Sequence, residues 1–369
     1  MWRAIVLIAL ALLPVTAARA QTGDCAADTE LAYVCGPQKP EDVLALPGTR
    51  WLIASGFADG AGLKLVDTRT RGFTTWFTGR PDQLAPAPSA RDCPGPVDAK
   101  VFNARGLSLR RLGKHRWRLL VVNHGGRQSI ELFDIDTRGE VPRLRWRDCL
   151  AMPEGQIGNS VAGFADGTVL VTVLTRPGTT IADFVLGQVT GAVWQWRPGD
   201  AGFVALPGTA LPGNNGLEID PDQRHFYVVA FGWHAVVVFD RRDTNRPVAR
   251  IDAPDFMPDN IHWSGKRLLL AGMVLDEPAC GGRRRVIAGV ADPMLCHRGW
   301  VVGELKHGRV TTLARGLPQP GFNGVSAAAI AGGTLWLGSF QSGRLAVLRD
   351  WQDGRSRGQP SRRTYCCAP

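Results

Sequence analysis

The sequence lacks four patterns that are typical of other protein classes. After the first twenty residues, no uninterrupted apolar run approaches the length of about twenty residues that crosses a bilayer. No helical hydrophobic period of useful length is present. No Cys-x-x-Cys pair and no cysteine–histidine cluster with zinc spacing occurs. The Gly-x-Ser-x-Gly elbow of serine esterases is also missing. These absences argue against a membrane-spanning mature chain, a thiol-ligated metal and a serine nucleophile.

The chain is basic, with a formal net charge of +10, but the surplus is scattered. Local clusters of arginine include residues 283–285 and, near the C-terminus, residues 355–363. No basic stripe interleaved with aromatic residues accompanies them, and no nucleic-acid-binding motif is present. We therefore expect a solvated basic surface, suited to anionic components of a cell envelope, and no nucleic-acid partner.

Residues 1–20 have the pattern of a signal peptide. Arg3 gives a short positive region, residues 5–13 form an apolar core, and Ala18-Arg19-Ala20 is a small-x-small cleavage pattern. The alternative is an uncleaved anchor, which the good cleavage site disfavours. We expect an exported protein, periplasmic or secreted, with no transmembrane anchor after cleavage.

The cysteine content fits export to an oxidising space, because all eight cysteines follow the predicted cleavage site. An even number of cysteines in an exported chain predicts up to four disulfides, although about 105 pairings are open for eight cysteines. Two of them bracket one insertion and would staple it, and an adjacent pair would tie down the C-terminal tail. The candidates are Cys25, Cys35, Cys93 and Cys149, the bracketing Cys280 and Cys296, and the adjacent Cys366 and Cys367.

Six similar units follow one another and organise the chain. Each unit has an apolar strand, a turn rich in Gly, Asp or Asn, a second strand that ends in small or polar residues, and a third strand. The fourth unit, for example, reads LEIDPDQRHFYVVAFG and then AVVVFDR. The second strands are predicted to begin near Trp51, Trp117, Val169, Phe226, Leu268 and Leu335.

This spacing suits the four-stranded blades of a β-propeller. Blades bury their faces only against neighbours, so six of them must close into a ring. A β-sandwich is the alternative, but it needs fewer similar units. The predicted fold class is all-β, a six-bladed β-propeller with four-stranded blades around a central channel. We place the propeller in residues 21–353 and a basic, cysteine-ended tail in residues 354–369.

Oxygen-bearing side chains precede the first strand of every unit. In a propeller these positions meet at one end of the channel, and carboxylates with carboxamides are ligands for a hard cation, which favours Ca²⁺ over Mg²⁺. The alternative is that each residue only caps a turn at a strand entry. The set comprises Glu41, Asp42, Asn103, Asn159, Asn215, Asp259, Asn260 and Asn323.

Two histidines are expected at the same channel. His124 closes a second strand, which returns to the ligand end, and two glycines follow it. A histidine beside a cation stays neutral and can act as a general base, but a hydrogen-bonded structural histidine is an equal alternative. His262, two residues after Asn260, would line the channel deeper down, whereas His234 is expected to serve packing.

Several stretches, in their order along most of the mature chain, resemble the paraoxonase/arylesterase family. They are PEDVLALPGTRWLIASGF, FNARGLSL, VVNHGGRQSIELFDID, NNGLEIDPDQRHFYVVAFGWHAVVVFD and PDNIHW. The wider superfamily includes the senescence-marker-protein/gluconolactonase/luciferin-regenerating-enzyme group and strictosidine-synthase-like propellers. The resemblance implies a calcium-binding six-bladed propeller.

The resemblance also implies roles for individual residues. His124 matches the histidine of the family's Asn-His motif, and Asp42 matches a ligand of a second, structural calcium. The catalytic calcium would be bound by Glu41, Asn159, Asn215, Asp259 and Asn260.

The sequence departs from the family pattern at three points. Asn159-Ser160 stands where the family has Asn-Asp, which removes a carboxylate from the second calcium site. A second histidine of the family has no evident counterpart, and the region compared with it, residues 143–147, is basic and aromatic. The family's disulfide joining the chain ends has no clean match in position.

The sequence therefore predicts a calcium-dependent hydrolase of lactones or aryl and carboxylic esters. The cation would polarise a carbonyl group and His124 would take a proton from water. Asn103, Asn159 or Asn215 would add hydrogen bonds to the carbonyl oxygen, and Asn323 would line the channel. One alternative is a non-catalytic, calcium-stabilised binding propeller, and another is a sugar lactonase of the gluconolactonase type. The sequence leaves the oligomeric state open.

Overall fold

Many inner strands of this protein are buried on both faces. In the strand Arg116–Asn123, Leu119 and Val121 pack into one apolar cluster, whereas Leu120 and Val122 pack into another. Alternate side chains of a strand point to opposite faces of its sheet. A sheet that is apolar on both faces must be enclosed between two others, which is the arrangement of a propeller blade.

Six four-stranded antiparallel sheets form a six-bladed β-propeller, which confirms the predicted fold. The computed structural model describes residues 25–85 and 93–351 of the chain. In each of the first three blades the strands run in chain order from the channel outwards. The N-terminal strand is β1 (Leu31–Cys35); blade 1 has β2 (Val43–Ala45), β3 (Trp51–Ala54), β4 (Lys64–Asp67) and β5 (Phe73–Thr75); blade 2 has β6 (Ala104–Gly113), β7 (Arg116–Asn123), β8 (Ser129–Asp136) and β9 (Arg143–Ala151); blade 3 has β10 (Gly158–Gly163), β11 (Val169–Val173), β12 (Ala192–Trp196) and β13 (Val204–Ala205).

Blades 4 and 5 repeat this order, with an insertion of two small hairpins in blade 5, and the first three strands of blade 6 follow it too. All six second strands begin within one residue of the predicted positions. Blade 4 has β14 (Asn214–Ile219), β15 (His225–Ala230), β16 (Ala235–Asp240) and β17 (Ala249–Asp252); blade 5 has β18 (Phe256–Ser264), β19 (Arg267–Val274), the inserted β20 (Asp276–Glu277), β21 (Gly282–Arg283), β22 (Val286–Ile287) and β23 (Val290–Ala291), then β24 (Trp300–Lys306) and β25 (Arg309–Gly316); blade 6 has β26 (Val325–Ala331), β27 (Thr334–Ser339) and β28 (Arg344–Leu348).

The ring is closed by the N-terminal strand, which supplies the outermost strand of blade 6. β1 pairs antiparallel with β28, so that Leu31 lies opposite Leu348 and Cys35 opposite Arg344. The sequence pattern does not predict this pairing, because β1 and β28 are far apart in the sequence. The ladder joins the first and last blades and prevents the ring from opening.

Three disulfides link cysteines of the described residues. Cys25 pairs with Cys35 beside β1, and Cys93 pairs with Cys149 at the edge of blade 2. Cys280 pairs with Cys296, which confirms the expected staple of the blade 5 insertion. Cys366 and Cys367 lie outside the described residues, as do the predicted signal peptide and the predicted tail.

Two insertions form a cap at the end of the channel where the second strands finish. We use "cap" for residues 174–191, which include helix α1 (Ile181–Val185), and residues 275–299. A buried ion pair between Arg298 and Asp292, with 2.5 Å between Nη2 and the carboxylate, organises the second insertion. Both insertions contribute to one apolar cluster, made of Phe184, Val185, Phe231, Met257, Met273, Leu275 and Ala291.

The described part of the chain contains no helix that is long and apolar enough to cross a membrane.

We expect Leu31→Ala to destabilise the fold, because Leu31 is fully buried in the closing strand. Truncation of a buried leucine leaves a cavity and costs about 2–5 kcal/mol in the free energy of unfolding. Urea unfolding of the purified variant measures this loss. Leu317→Ala is the control, since Leu317 is 72% exposed and its truncation should change stability by less than about 0.5 kcal/mol. Equal stability of the two variants would contradict the closing role of β1.

Candidate metal and catalytic site

Five of the six innermost strands contain a β-bulge at the same height in the channel. The register with the second strand shifts between Ala104 and Leu107 in blade 2, and at matching points in blades 3 to 6. A bulge adds one residue to a strand and re-aims its side chains, and it is common beside active sites. We call the residues inside the shift the bulge positions: Arg105-Gly106, Asn159-Ser160, Asn215-Gly216, Asp259-Asn260 and Ser326.

Blade 1 presents Glu41 and Asp42 at the corresponding place, directly before β2. The structure therefore brings together all five residues of the predicted calcium site at one level of the channel. Nδ2 of Asn159 donates to Oδ1 of Asn215 over 2.6 Å, which joins blades 3 and 4. The amide of Asn215 also interacts with Asp259 of blade 5.

Two glycines allow the innermost strands to approach this closely. A Cβ on Gly106 would lie 2.5 Å from the carbonyl oxygen of Asn159, and one on Gly216 would lie 2.6 Å from that of Asp259. Both distances are too short for any side chain, so glycine is required where one bulge passes the next blade.

The two acidic residues of the set are buried carboxylates that favour protonation. Burial raises the pKa of Glu41 to about 7; Arg105 opposes this rise and Asp42 adds to it. Burial, followed by the charge of Glu41, raises the pKa of Asp259 well above its usual value. Two carboxylates that share a poorly solvated site repel each other unless a cation compensates them.

The residues present fit a hard divalent cation. Oε2 of Glu41 is buried and has no hydrogen-bond partner. Two carboxylates match a double positive charge, and the amides of Asn159, Asn215 and Asn260 supply neutral oxygens of the kind that Ca²⁺ accepts. In residues 25–85 and 93–351, no group of three or more His, Cys, Asp or Glu side chains is arranged to hold a metal. A site here would therefore depend on amide oxygens.

His124 follows β7 and lies next to this set. Its Nε2 is 2.7 Å from the carbonyl oxygen of Gly158, the residue before Asn159. A carbonyl oxygen only accepts, so Nε2 carries the proton and Nδ1 keeps its lone pair. Burial, followed by the charge of Arg105, lowers the pKa of His124 to about 4, although the bond to Gly158 opposes this shift. The imidazole is therefore neutral at neutral pH.

Arg105 is a member of the site that the sequence analysis missed. It occupies the bulge position of blade 2, where Asn159 and Asn215 lie in blades 3 and 4. Its guanidinium carbon lies 3.5 Å from the centroid of the Phe57 ring. The signal was present in the sequence, because Arg105-Gly106 and Asn215-Gly216 share the glycine that the close approach requires.

Asn103 and Asn323 precede the bulges, and their side chains make hydrogen bonds to neighbouring loops. Nδ2 of Asn103 donates to the carbonyl oxygen of Ala58 at 3.3 Å and to Asp59 at 3.1 Å. Oδ1 of Asn323 accepts from the backbone of Arg298 at 3.1 Å, which ties the cap to blade 6. Oδ1 of Asn103 is buried without a partner, so it is the more available of the two for a ligand.

Asp42 and His262 form a buried pair deeper in the channel. Nε2 of His262 lies 2.8 Å from Oδ1 of Asp42, and Nδ1 lies 3.4 Å from Glu218. Burial lowers the pKa of His262, but Asp42 and Glu218 outweigh it and raise the pKa to about 10. The second oxygen of Asp42 accepts from the backbone of Leu107 at 2.8 Å. A second cation at Asp42 would therefore have to displace an imidazolium.

Where the second-calcium pattern has a carboxylate, this chain has Ser160, whose hydroxyl accepts from the backbone of Leu217 at 3.2 Å. The hydroxyl carries no charge, so the carboxylates next to His262 are those of Asp42 and Glu218. The expectation that His262 lies deep in the channel agrees with this geometry.

A cleft of about 570 Å³ lies elsewhere, between blades 4 and 5. Its walls include Tyr227, Trp263 and the hairpin ends at Lys266 and His307. These hairpin ends are at the opposite end of the channel from the bulges, because the first strands run away from the candidate site. None of the predicted ligands lines this cleft.

We expect His262→Leu to lower the free energy of unfolding by about 3–5 kcal/mol, because it leaves the Asp42 carboxylate buried without its partner. Chemical denaturation measures the loss. The double variant Asp42→Asn/His262→Leu should lose less than the single variant, since asparagine is neutral and retains an acceptor for Leu107. A double variant that is less stable than His262→Leu would argue against the charge pair.

Comparison with known proteins gives structural but not sequence matches. No protein-family model and no curated protein matches the chain. Among solved structures, a luciferin-regenerating enzyme has a TM-score of 0.50 and 12% identity, covering 85% of this chain and 92% of that one. A gluconolactonase from Xanthomonas campestris has a TM-score of 0.50 and 15% identity, covering 86% and 88%. At these identities the likeness shows the propeller fold.

Proposed function

We propose that this protein is a calcium-dependent hydrolase of lactones or of aryl and carboxylic esters. The observation that carries the proposal is a buried pair of carboxylates, Glu41 and Asp259, in the same cluster as the amides of Asn159 and Asn215 and near a neutral His124. A divalent cation can polarise a carbonyl group, and a neutral histidine can take a proton from water, so the two together suit hydrolysis by activated water. The gluconolactonase and the luciferin-regenerating enzyme share the fold, and the sequence resembles the paraoxonase/arylesterase family at this site.

Each residue of the site has a part in this proposal. A bound Ca²⁺ would polarise the substrate carbonyl and favour negative charge on its oxygen. Glu41, Asp259 and the amide oxygens of Asn159, Asn215 and Asn260 would hold the cation. The burial of Glu41 and Asp259 keeps bulk water away and strengthens these interactions.

His124 is the proposed general base. Its proton on Nε2 is held by Gly158, which leaves Nδ1 free to accept a proton. The oxygen of water forms a bond to the carbonyl carbon while its proton passes to Nδ1. The bond between carbonyl carbon and ester oxygen then breaks, and the proton from Nδ1 goes to the departing alkoxide. The products are a carboxylic acid and an alcohol, joined in one molecule when the substrate is a lactone.

The surroundings of the site favour substrates with an apolar part over sugars. Phe57 and Phe340 lie 6.2 Å apart at the same end of the channel. Phe340 also packs against the apolar cluster of the cap. A gluconolactonase-type substrate would instead need polar partners for several hydroxyl groups. We therefore place sugar lactones second.

We place this activity outside the cytoplasm. Three disulfides are formed in the described residues, and disulfides persist mainly in oxidising compartments. The predicted signal peptide of residues 1–20 agrees with this location, and detection of a mature N-terminus at Gln21 would test it.

Replacement of either proposed carboxylate ligand should strongly weaken calcium binding. Glu41→Gln and Asp259→Asn each remove one of the two charges, and we expect calcium affinity to fall at least about a hundredfold, a loss of the size seen when one partner of a buried charge pair is removed. Isothermal titration calorimetry on chelator-treated protein measures the affinity. Asp255→Asn is the control, because Asp255 is exposed and near Asp259 in sequence.

The same preparations test the catalytic part of the proposal. Chelator-treated protein should hydrolyse neither lactones nor aryl esters, and calcium should restore the activity. Wild-type affinity in Glu41→Gln and Asp259→Asn would overturn the proposed site.

Replacement of His124 separates catalysis from binding. His124→Gln should lower kcat by about 10²- to 10⁴-fold, the usual contribution of a general base, with calcium affinity unchanged. Steady-state hydrolysis of a γ-lactone and of phenyl acetate measures the effect, and exposed His115→Gln is the control. Calcium binding by a wild-type protein without turnover of any lactone or ester would instead identify a calcium-stabilised binding propeller.

A further inference from the structure

Arg105 is a buried guanidinium with unused hydrogen-bonding capacity. Its side chain belongs to a residue that is only 9% exposed, and neither Nε nor Nη1 has a hydrogen-bond partner. Unmade bonds of a buried charged group are costly, so such donors in a native protein call for an acceptor. The acceptor is missing from the residues that the structure describes.

A structural arginine in the same protein looks different. Arg298 of the cap is also buried, but its two terminal nitrogens bond to Asp292 and to the carbonyl oxygens of Val274, Leu275 and Gly282. Those bonds hold the cap insertion together. Arg105 makes no comparable set of bonds, so a purely structural role does not explain its burial.

The groups around Arg105 belong to the candidate site. Its charge acts on Glu41 and on His124, and Phe57 covers one face of the guanidinium at 3.5 Å. Glu41 attracts Arg105, yet Oε2 of Glu41 and Nε and Nη1 of Arg105 all lack partners. The carboxylate of Glu41 and the guanidinium of Arg105 interact electrostatically but share no hydrogen bond. Oε2 of Glu41 and the two nitrogens of Arg105 are therefore available to ligands.

The charge balance of the site decides which ligand suits Arg105. A divalent cation held by Glu41 and Asp259 uses both of their negative charges. His124 is neutral, and Asp59 is then the remaining carboxylate that acts on Arg105, and it makes no hydrogen bond to the guanidinium among the described residues. A carboxylate is the anion that matches a guanidinium in shape and charge.

We propose that Arg105, stacked on Phe57, binds a free carboxylate group of the substrate, so that the substrate class is lactones or esters that carry a carboxylate. The reaction in this statement rests on the proposed function, whereas carboxylate binding at Arg105 does not. Arg105 is a substrate-binding residue here and transfers no proton.

Benzoate and benzamide test this binding directly, because they are nearly the same in shape and differ in charge. Calcium-saturated wild-type protein should bind benzoate more tightly than benzamide in a calorimetric titration. Arg105→Met keeps an apolar stem over Phe57 and removes the charge, so it should weaken benzoate binding about tenfold to a hundredfold, the range of one hydrogen bond to a charged group, and leave benzamide binding unchanged.

Two further variants control the experiment. Arg105→Lys keeps the charge but loses the planar fork, and we expect benzoate affinity between those of wild type and Arg105→Met. Arg111→Met removes one exposed charge of the same strand and should behave as wild type. Arg105→Met is expected to fold, since loss of an unpaired buried charge does not destabilise a core, and thermal unfolding checks this.

An equal preference for benzoate over benzamide in wild type and Arg105→Met would overturn the proposal, because the carboxylate would then be bound elsewhere, for example at the cation. Absence of any benzoate binding by wild type would overturn it as well. The test needs no turnover, so it is independent of the hydrolase proposal. If the protein binds benzoate through Arg105 but hydrolyses no ester, the hydrolase proposal is wrong and the proposed carboxylate site stands.

Discussion

The close approach of the innermost strands around the channel is the constraint on which the site depends. Six strands converge there, and five of them absorb the crowding by adding one residue at the same height. Gly106 and Gly216 stand where any side chain would collide with the neighbouring backbone. The bulges turn polar side chains towards the axis, and the ring closure by β1 fixes their spacing. Residues from distant parts of the chain therefore meet with little freedom to move apart.

The polar groups of the channel lie in two layers with different charge balance. In the deeper layer, the carboxylate of Asp42 and the imidazolium of His262 compensate each other at 2.8 Å. In the layer at the mouth, burial raises the pKa values of Glu41 and Asp259, and Arg105 only partly opposes the rise for Glu41. A balanced buried pair has no need of a ligand, whereas an unbalanced one gains from binding a cation. This difference agrees with structural support in the deep layer and with the proposed ligand binding at the mouth.

The sequence predicted the fold and most of the mouth layer, but neither the closing strand nor all of the site. Repeated apolar strands and turns are local signals, and so are the acidic and amide residues that precede them. Arg105 has no side-chain oxygen and lies two residues after Asn103, so the pattern of oxygen donors does not point to it; only the strand register shows which residue lies in the bulge. The pairing of His262 with Asp42 joins blades 5 and 1, and a contact at that separation requires the folded ring.

Cation and carboxylate sites that share Glu41 and Arg105 must influence each other. Without a cation, the negative charge of Glu41 acts on Arg105 and partly satisfies it. A cation at Glu41 removes that attraction and raises the affinity of Arg105 for an external carboxylate. Since coupling between two sites is reciprocal, a bound carboxylate must raise the affinity for the cation by the same factor. In the proposed site, a charged bulge in place of an amide would thus link recognition of the substrate to binding of the cation.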